Sequence, residues 1–156
     1  MRKFFFIALL ATVAVGVNAQ DYNSSLGLRL GRPLGLSYKK FVSPSNAFEV
    51  IADLDIFQKH TTKISGSGFY LWQWNLADVP KLSWFVGPGA SAGVFVTKVN
   101  STTTSDFNVS LDGLIGLEYK IPKAPLALSA DFGPRFYFMH DAGFYWGGAL
   151  TVRYTF

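Results

Sequence analysis

Residues 144–156 read FYWGGALTVRYTF and end the chain. On one face of this stretch the apolar side chains recur at every second position, and Arg153 belongs to the other face. Side chains of a β-strand point alternately to its two sides, so this period of two predicts a strand with one apolar and one polar face. The strand closes on an aromatic residue, Phe156.

The other end of the chain predicts export. Arg2 and Lys3 precede an apolar run over 4–17, and Val17-Asn18-Ala19 supplies small residues before Gln20. A basic start, a short apolar run and such a site are typical of a secretory signal peptide. The run is shorter than the roughly 20 residues of a membrane-spanning helix. We expect cleavage after Ala19 and one domain over 20–156, with an uncleaved N-terminal anchor as the alternative.

Composition excludes several classes of protein. There is no cysteine, which excludes disulfides, thiolate metal ligands and a lipid-anchored Cys. The net charge is +4 and no Lys/Arg run follows the signal, so we expect no nucleic-acid partner. Hydrophobic residues make up 49% and aromatic residues 17% of the chain, although no helix-length apolar run follows the signal. Strands that face lipid at period two reconcile these facts.

Eight segments alternate like the terminal one. They begin near Leu26, Leu34, Phe48, Tyr70, Trp84, Phe107, Leu126 and Phe144. With the apolar side of each segment turned outward, no charged residue falls on the outward face, whereas a helical period would scatter Glu49, Val50 and Asp53 around one cylinder. The sequence therefore predicts an all-β fold, a closed antiparallel up-and-down eight-stranded transmembrane barrel. Pro88 and Pro134 fall inside strands, where we expect a bulge or a bend.

The connections alternate in character. Those at 43–46, 77–81 and 122–125 are short and contain proline, whereas 59–65 and 98–106 are polar and longer. Short periplasmic turns and longer extracellular loops have this asymmetry in outer-membrane barrels.

With that orientation, aromatic residues sort into two girdles at the strand ends, as membrane interfaces favour. We place Tyr38, Phe41, Phe48, Trp74, Trp84, Tyr119, Tyr154 and Phe156 at the periplasmic end, and Tyr70, Phe107, Phe138, Phe144 and Trp146 at the outer end.

The inward faces collect charges of both signs. They are Arg29, Lys39, Glu49, Asp53, Asp55, Asp112, Glu118, Asp131, Arg135 and Arg153. We expect these residues to form an interior charge network, because an unpaired charge in a narrow barrel is costly. A proton or ion pathway is the alternative. Asp53 and Asp55 could form a carboxylate pair, but no loop-like ligand cluster surrounds them, so we expect neither a metal nor a cofactor.

From residue 22 to 156 the chain resembles a known group. The residues that carry the resemblance are LGLRLG at 26–31, GLSYK at 35–39, GLEY at 116–119 and VRYTF at 152–156. They are similar to the small eight-stranded outer-membrane barrels, the OmpX/OmpA-transmembrane-like group and related "outer membrane protein beta-barrel" families. The resemblance implies a monomer in outer-membrane lipid of a Gram-negative cell. It also implies insertion by the barrel-assembly machinery through the strand that ends in Phe156, although Thr151 stands where that signal usually has Gly.

Catalysis is not expected. The lipid A deacylases, which share this architecture, use a His-x-Ser pair, whereas here His140 is followed by Asp141-Ala142 and His60 by Thr61-Thr62. Palmitoyl-transferring barrels begin with an amphipathic helix, for which the chain before the first strand leaves no room. We therefore assign no catalytic residue.

The sequence favours a small integral outer-membrane barrel with a packed polar interior and a structural or surface-interaction role. One alternative is a soluble lipocalin-like carrier, with apolar residues around an internal cavity. The other is a narrow pore through the charged lumen. No specific ligand is indicated.

Overall fold

The structure is a computed structural model that describes residues 22–31, 33–76, 78–139 and 142–156. The predicted signal peptide, the proposed cleavage site and the apolar run at 4–17 lie outside the described residues. The described part of the chain contains no helix long and apolar enough to cross a membrane.

The described residues form eight strands. They are β1 (Ser24–Gly31), β2 (Leu34–Ser43), β3 (Asn46–Gln58), β4 (Thr61–Asn75), β5 (Leu82–Val99), β6 (Thr102–Lys120), β7 (Leu126–Tyr137) and β8 (Gly143–Thr155). Each strand pairs antiparallel with the next, and β8 pairs with β1 from Ser25↔Thr155 to Gly31↔Ala149. The ring has no open edge, and the predicted closed eight-stranded barrel is confirmed.

The two faces of the wall differ as the alternation predicts. Outward Leu28 and Leu150 are 50% and 62% exposed, whereas inward Ser37 and Thr151 are buried. The outward face is not wholly free of charge as predicted: among the described residues, Lys40 and Lys98 lie on it, one near each end of the barrel. This polarity is the reverse of a lipocalin, so it argues against the alternative of an apolar-lined carrier.

Two connections predicted as longer loops are tight turns. Gln58 pairs with Thr61, and Val99 pairs with Thr102. The second turn has Asn100 at φ 45° and Ser101 at φ 71°, the left-handed pair that matches the twist of a two-residue hairpin. Most of 59–65 and 98–106 is therefore strand. These stretches resemble loops because they are polar, but β-branched Thr favours strands.

The register also corrects the aromatic girdles. Tyr70 lies directly opposite Phe48, with their rings 5.0 Å apart, so it belongs to the end predicted to be periplasmic and not to the predicted outer end. Phe41 points into the lumen and is buried, so it is no girdle residue. The outer aromatic side chains concentrate on β6 to β8, where Phe144 and Trp146 are more than half exposed. The outer belt is therefore one-sided.

Neither strand proline forms a bulge. Phe69 pairs with Gly89 and Trp72 with Val86, so the β4–β5 register is the same on both sides of Pro88. The β6–β7 register is likewise unchanged across Pro134. The prediction was a bulge or a bend, and of these the bulge is absent. Each ladder nevertheless skips two residue pairs beside the proline ring, which lacks an N–H.

Where the ladder is interrupted beside Pro88, the backbones of β4 and β5 come unusually close. A Cβ at Gly87 would overlap the carbonyl oxygen of Tyr70 on β4, so only glycine fits there. We expect Gly87→Ala to lower the free energy of unfolding by about 1–3 kcal/mol or more, because the backbone must move. Urea unfolding in lipid vesicles, followed by Trp fluorescence, measures it.

Gly147 is the matched control, since it is an inward strand glycine with no neighbouring atom within 4 Å of the position that a Cβ would take. We expect Gly147→Ala to leave stability unchanged or to raise it slightly, because alanine restricts the unfolded chain. Equal losses in the two variants would show that the close approach at Gly87 is not what limits stability.

Candidate functional site

The lumen is divided into three layers along its length. The inner network consists of Lys39, Glu49, Gln73, Glu118 and Arg153 at the end where β1 begins and β8 ends. The apolar layer consists of Ile51, Phe69, Leu71, Phe85 and Leu114. Above it, a cavity of about 550 Å³ forms the vestibule, which reaches the hairpin turns at the opposite end. Ile51, Phe69 and Leu114 are its floor.

Arg153 is the centre of the inner network. Its Nη2 donates to Glu49 Oε1 at 2.7 Å, and its Nε lies 3.2 Å from Glu118 Oε2. Ser37 accepts a hydrogen bond from Nη1 and donates one to Glu49 Oε1 at 2.6 Å. The guanidinium is fully buried. It links β8, which carries Arg153, to β2, β3 and β6.

Lys39 completes the charge balance. Its Nζ lies 3.2 Å from Glu118 Oε2 and 4.9 Å from the centre of the Phe85 ring. It also donates to Gln73, whose amide donates to Glu118 Oε1 at 2.9 Å. Two cations and two carboxylates thus form a neutral set, and their side chains are at most 2% exposed.

Tyr22 covers the inner network at the end of the barrel where β1 begins. Its hydroxyl donates to Glu118 Oε1 at 2.6 Å, and its ring meets Phe41 edge-on with centroids 5.2 Å apart. Burial raises the pKa of Tyr22 well above its usual range, so the hydroxyl keeps its proton and remains a donor. The residue precedes β1, so the segment entering the barrel helps to close it.

The apolar layer was not predicted from the sequence. Phe69 and Leu71 are inward on β4, and Phe85 is inward on β5. Many of the other inward residues of β4 and β5 are Gly or Ser, and this composition predicts a polar lumen with no apolar layer. A Cβ at Gly116 would lie 2.5 Å from Phe85 Cζ, so a glycine makes room for the ring.

Two ion pairs line the vestibule. Arg29 forms a bidentate pair with Asp131 at 2.8 and 2.9 Å. Arg135 Nε donates to Asp112 Oδ1 at 3.1 Å, and Ser110 donates to the same oxygen at 2.8 Å. Both arginines therefore have a carboxylate partner.

Two further charges in the vestibule differ from these pairs. Asp53 is 6% exposed, and its Oδ1 is buried without a hydrogen-bond partner. Lys63 donates to the Tyr137 hydroxyl, and its Nζ lies 4.9 Å from the Phe95 ring centre and 4.8 Å from that of Tyr137. Lys63 was predicted to lie in a loop, but it is an inward residue of β4, on the same face as Ser65 and Ser67.

The ten predicted interior charges therefore fall into two groups. The inner network holds Lys39, Glu49, Glu118 and Arg153, and the vestibule is lined by Arg29, Asp53, Asp55, Asp112, Asp131 and Arg135. The apolar layer lies between them. The sequence placed these residues on one face of the wall but did not indicate this division.

The two histidines considered for catalysis are not placed in a catalytic group by the described residues. His60 is exposed in the β3–β4 turn at φ 70°, and His140 lies outside the described residues. Within the described ranges, no three His, Cys, Asp or Glu side chains are grouped to hold a metal ion.

Similar folds occur among solved structures. The N-terminal β-barrel domain of Pseudomonas aeruginosa OprF aligns with a TM-score of 0.68 at 12% identity, over 85% of this chain and 95% of that one. Neisserial surface protein A (NspA) aligns with a TM-score of 0.64 at 10% identity, over 85% of this chain and 93% of that one. No protein-family model and no curated protein matches the chain. At these identities the likeness concerns the fold, which is that of the small eight-stranded outer-membrane barrels.

Proposed function

We propose that the protein is an integral outer-membrane barrel whose lumen is closed. The observation that carries the proposal is the outward band of exposed leucine, valine and aromatic side chains around a ring with a charged interior. An apolar patch of this extent is costly in water and favourable in lipid. The fold shared with two outer-membrane barrels supports the same compartment.

The route to that membrane is part of the proposal. The export signal over 1–19 leads the chain out of the cytoplasm, and the strand ending in Phe156 addresses the barrel-assembly machinery. In the closed ring β8 lies between β7 and β1, so a complete barrel requires it. The ring is closed by its own strands, which supports a monomer.

A closed lumen favours a structural or surface-interaction role over transport and catalysis. The cross-section of the lumen near the end where β1 begins is filled by side chains that are inaccessible to water, namely Arg153, Lys39, Glu49 and Phe85. An ion would have to displace both the buried charge pairs and the apolar layer. We expect planar-bilayer conductance indistinguishable from that of the bare membrane, and discrete conductance steps would support the narrow-pore alternative.

Neighbouring positions 145 and 146 test which face meets lipid. Trp146 is outward and 66% exposed, whereas Tyr145 lines the vestibule. In a background with the other tryptophans changed to Phe, we expect brominated lipids to quench Trp146 strongly.

The matched variant carries Tyr145→Trp and Trp146→Phe in the same background. Its fluorescence should respond to aqueous iodide and little to brominated lipid, because a lumen side chain is shielded by the wall. If lipid-borne bromine quenched both positions equally, or neither, the assignment of the outward face to lipid would be wrong.

A further inference from the structure

The vestibule has the shape of a binding site. Its volume of about 550 Å³ falls within the roughly 300–1,000 Å³ of small-molecule pockets. The apolar layer closes its inner end, and side chains near the hairpin turns, Gln58, Thr61 and Thr97, line the other. A small solute can therefore enter the vestibule from the end with these hairpin turns, but the apolar layer blocks its way through the barrel.

The charge of the lining favours a cation. Among the described residues it contains three basic side chains and five carboxylates, a formal charge of −2. They are Arg29, Lys63 and Arg135 against Asp53, Asp55, Asp106, Asp112 and Asp131. Arg29 and Arg135 are held by Asp131 and Asp112, so neither guanidinium is free to receive an anion.

Asp53 points to where the cation binds. It lines the cavity, its side chain is more than nine-tenths buried, and Oδ1 has no donor. Oδ1 lies against Gly35 and is closed off from the cavity, so a ligand ammonium recovers the cost of this unpaired acceptor when the carboxylate rotates toward the vestibule. Gly35 lies opposite it on β2, where any Cβ would collide with Oδ1, so glycine leaves room for the carboxylate.

The aromatic lining favours an organic cation. Phe95 and Tyr137 already hold the ammonium of Lys63 against their faces, and Tyr145 packs on Tyr137 with centroids 5.4 Å apart. Alkylammonium groups gain from such rings, and their methylenes pack on them.

We propose that the vestibule binds a small aliphatic dication, an alkyl diamine, with one ammonium on Asp53 and its second charge balanced by the remaining negative lining. Lys63 competes with the ligand for this negative potential. The site therefore has one anchor, Asp53, and one residue that weakens binding.

The test uses the protein refolded in zwitterionic detergent and 1,4-diaminobutane as the probe, in calorimetric titration at low ionic strength. We expect saturable binding that weakens as salt is raised. Asp53→Asn should weaken it roughly ten-fold or more, as expected when one partner of a buried charge pair is removed. Asp78→Asn removes the same charge from an exposed turn at the opposite end and should change affinity less than about two-fold.

Lys63→Met gives a result of opposite sign, since removal of the competing cation should tighten binding. This arm keeps the proposal testable even if Asp53→Asn does not fold, which heat-dependent gel mobility reports. Absence of binding, equal affinity of Asp53→Asn and the unaltered protein, or no gain in Lys63→Met would overturn the proposal. Equal binding of butane-1,4-diol would show an apolar cavity only, and tighter binding of Ca²⁺ than of the diamine would show an inorganic cation site; either result overturns it.

Discussion

Arg153→Met is expected to lower the free energy of unfolding by about 3–5 kcal/mol, because it leaves buried carboxylates without their cation. Glu49 would lose its 2.7 Å cationic partner, and Glu118 would keep Lys39 as its cation, together with the hydrogen bonds from Tyr22 and Gln73. Met fills similar space, so the loss comes mainly from charge and hydrogen bonding. Urea unfolding in lipid vesicles, followed by Trp fluorescence, gives the value.

A double variant separates charge from packing. In Arg153→Met with Glu49→Gln, one cation and one carboxylate are removed together, and Lys39 remains with Glu118. We expect this pair of changes to recover a large part of the stability lost in the single variant. Lys40→Met removes a cation from the exposed outer face and should change stability by less than about 0.5 kcal/mol. A double variant no more stable than Arg153→Met would show that packing, not charge balance, dominates.

Leu150→Arg is expected to destabilise the barrel in lipid vesicles by about 2–4 kcal/mol, the cost of an arginine near the bilayer midplane. Leu150 is 62% exposed on β8, midway between Trp146 and Tyr154. In a water-soluble barrel the same change would be nearly neutral, because the side chain would meet only solvent. The size of the loss therefore distinguishes the two environments.

Val79→Arg is the control for this change. Val79 is 42% exposed and lies in the β4–β5 turn, where it should meet water or the interface. We expect a cost of about 0–1 kcal/mol, which is typical near the interfaces. Similar stabilities for the arginine variants at 150 and 79 would place Leu150 outside the hydrocarbon region.

The sequence predicted the inward and outward faces of the strands better than the positions where the strands begin and end. Strict alternation in β3 and β8 identifies Glu49 and Arg153 as inward side chains, because one apolar face must avoid the polar lumen. It failed in the outer half of β4, where Ser65-Gly66-Ser67-Gly68 carries no apolar signal. Tyr70 was consequently taken for the outer end of a strand that begins nine residues earlier, at Thr61.

The partners of the interior charges could not be read from the chain. Arg153 and Glu49 are separated by 104 residues, and Lys39 and Glu118 by 79. Their contact depends on the stagger between strands around the closed ring, which a local pattern does not encode. The neutral inner network and the vestibule are thus properties of the register, although each residue's face is a property of the sequence.

The position of Arg153 on the last strand ties closure of the ring to its electrostatic balance. Without β8, the inner network would keep Lys39 against Glu49 and Glu118, a surplus of negative charge within the lumen. A seven-stranded sheet is then penalised twice, by its unpaired edges and by this surplus. The inner network is therefore neutral only when β8 is paired in the ring.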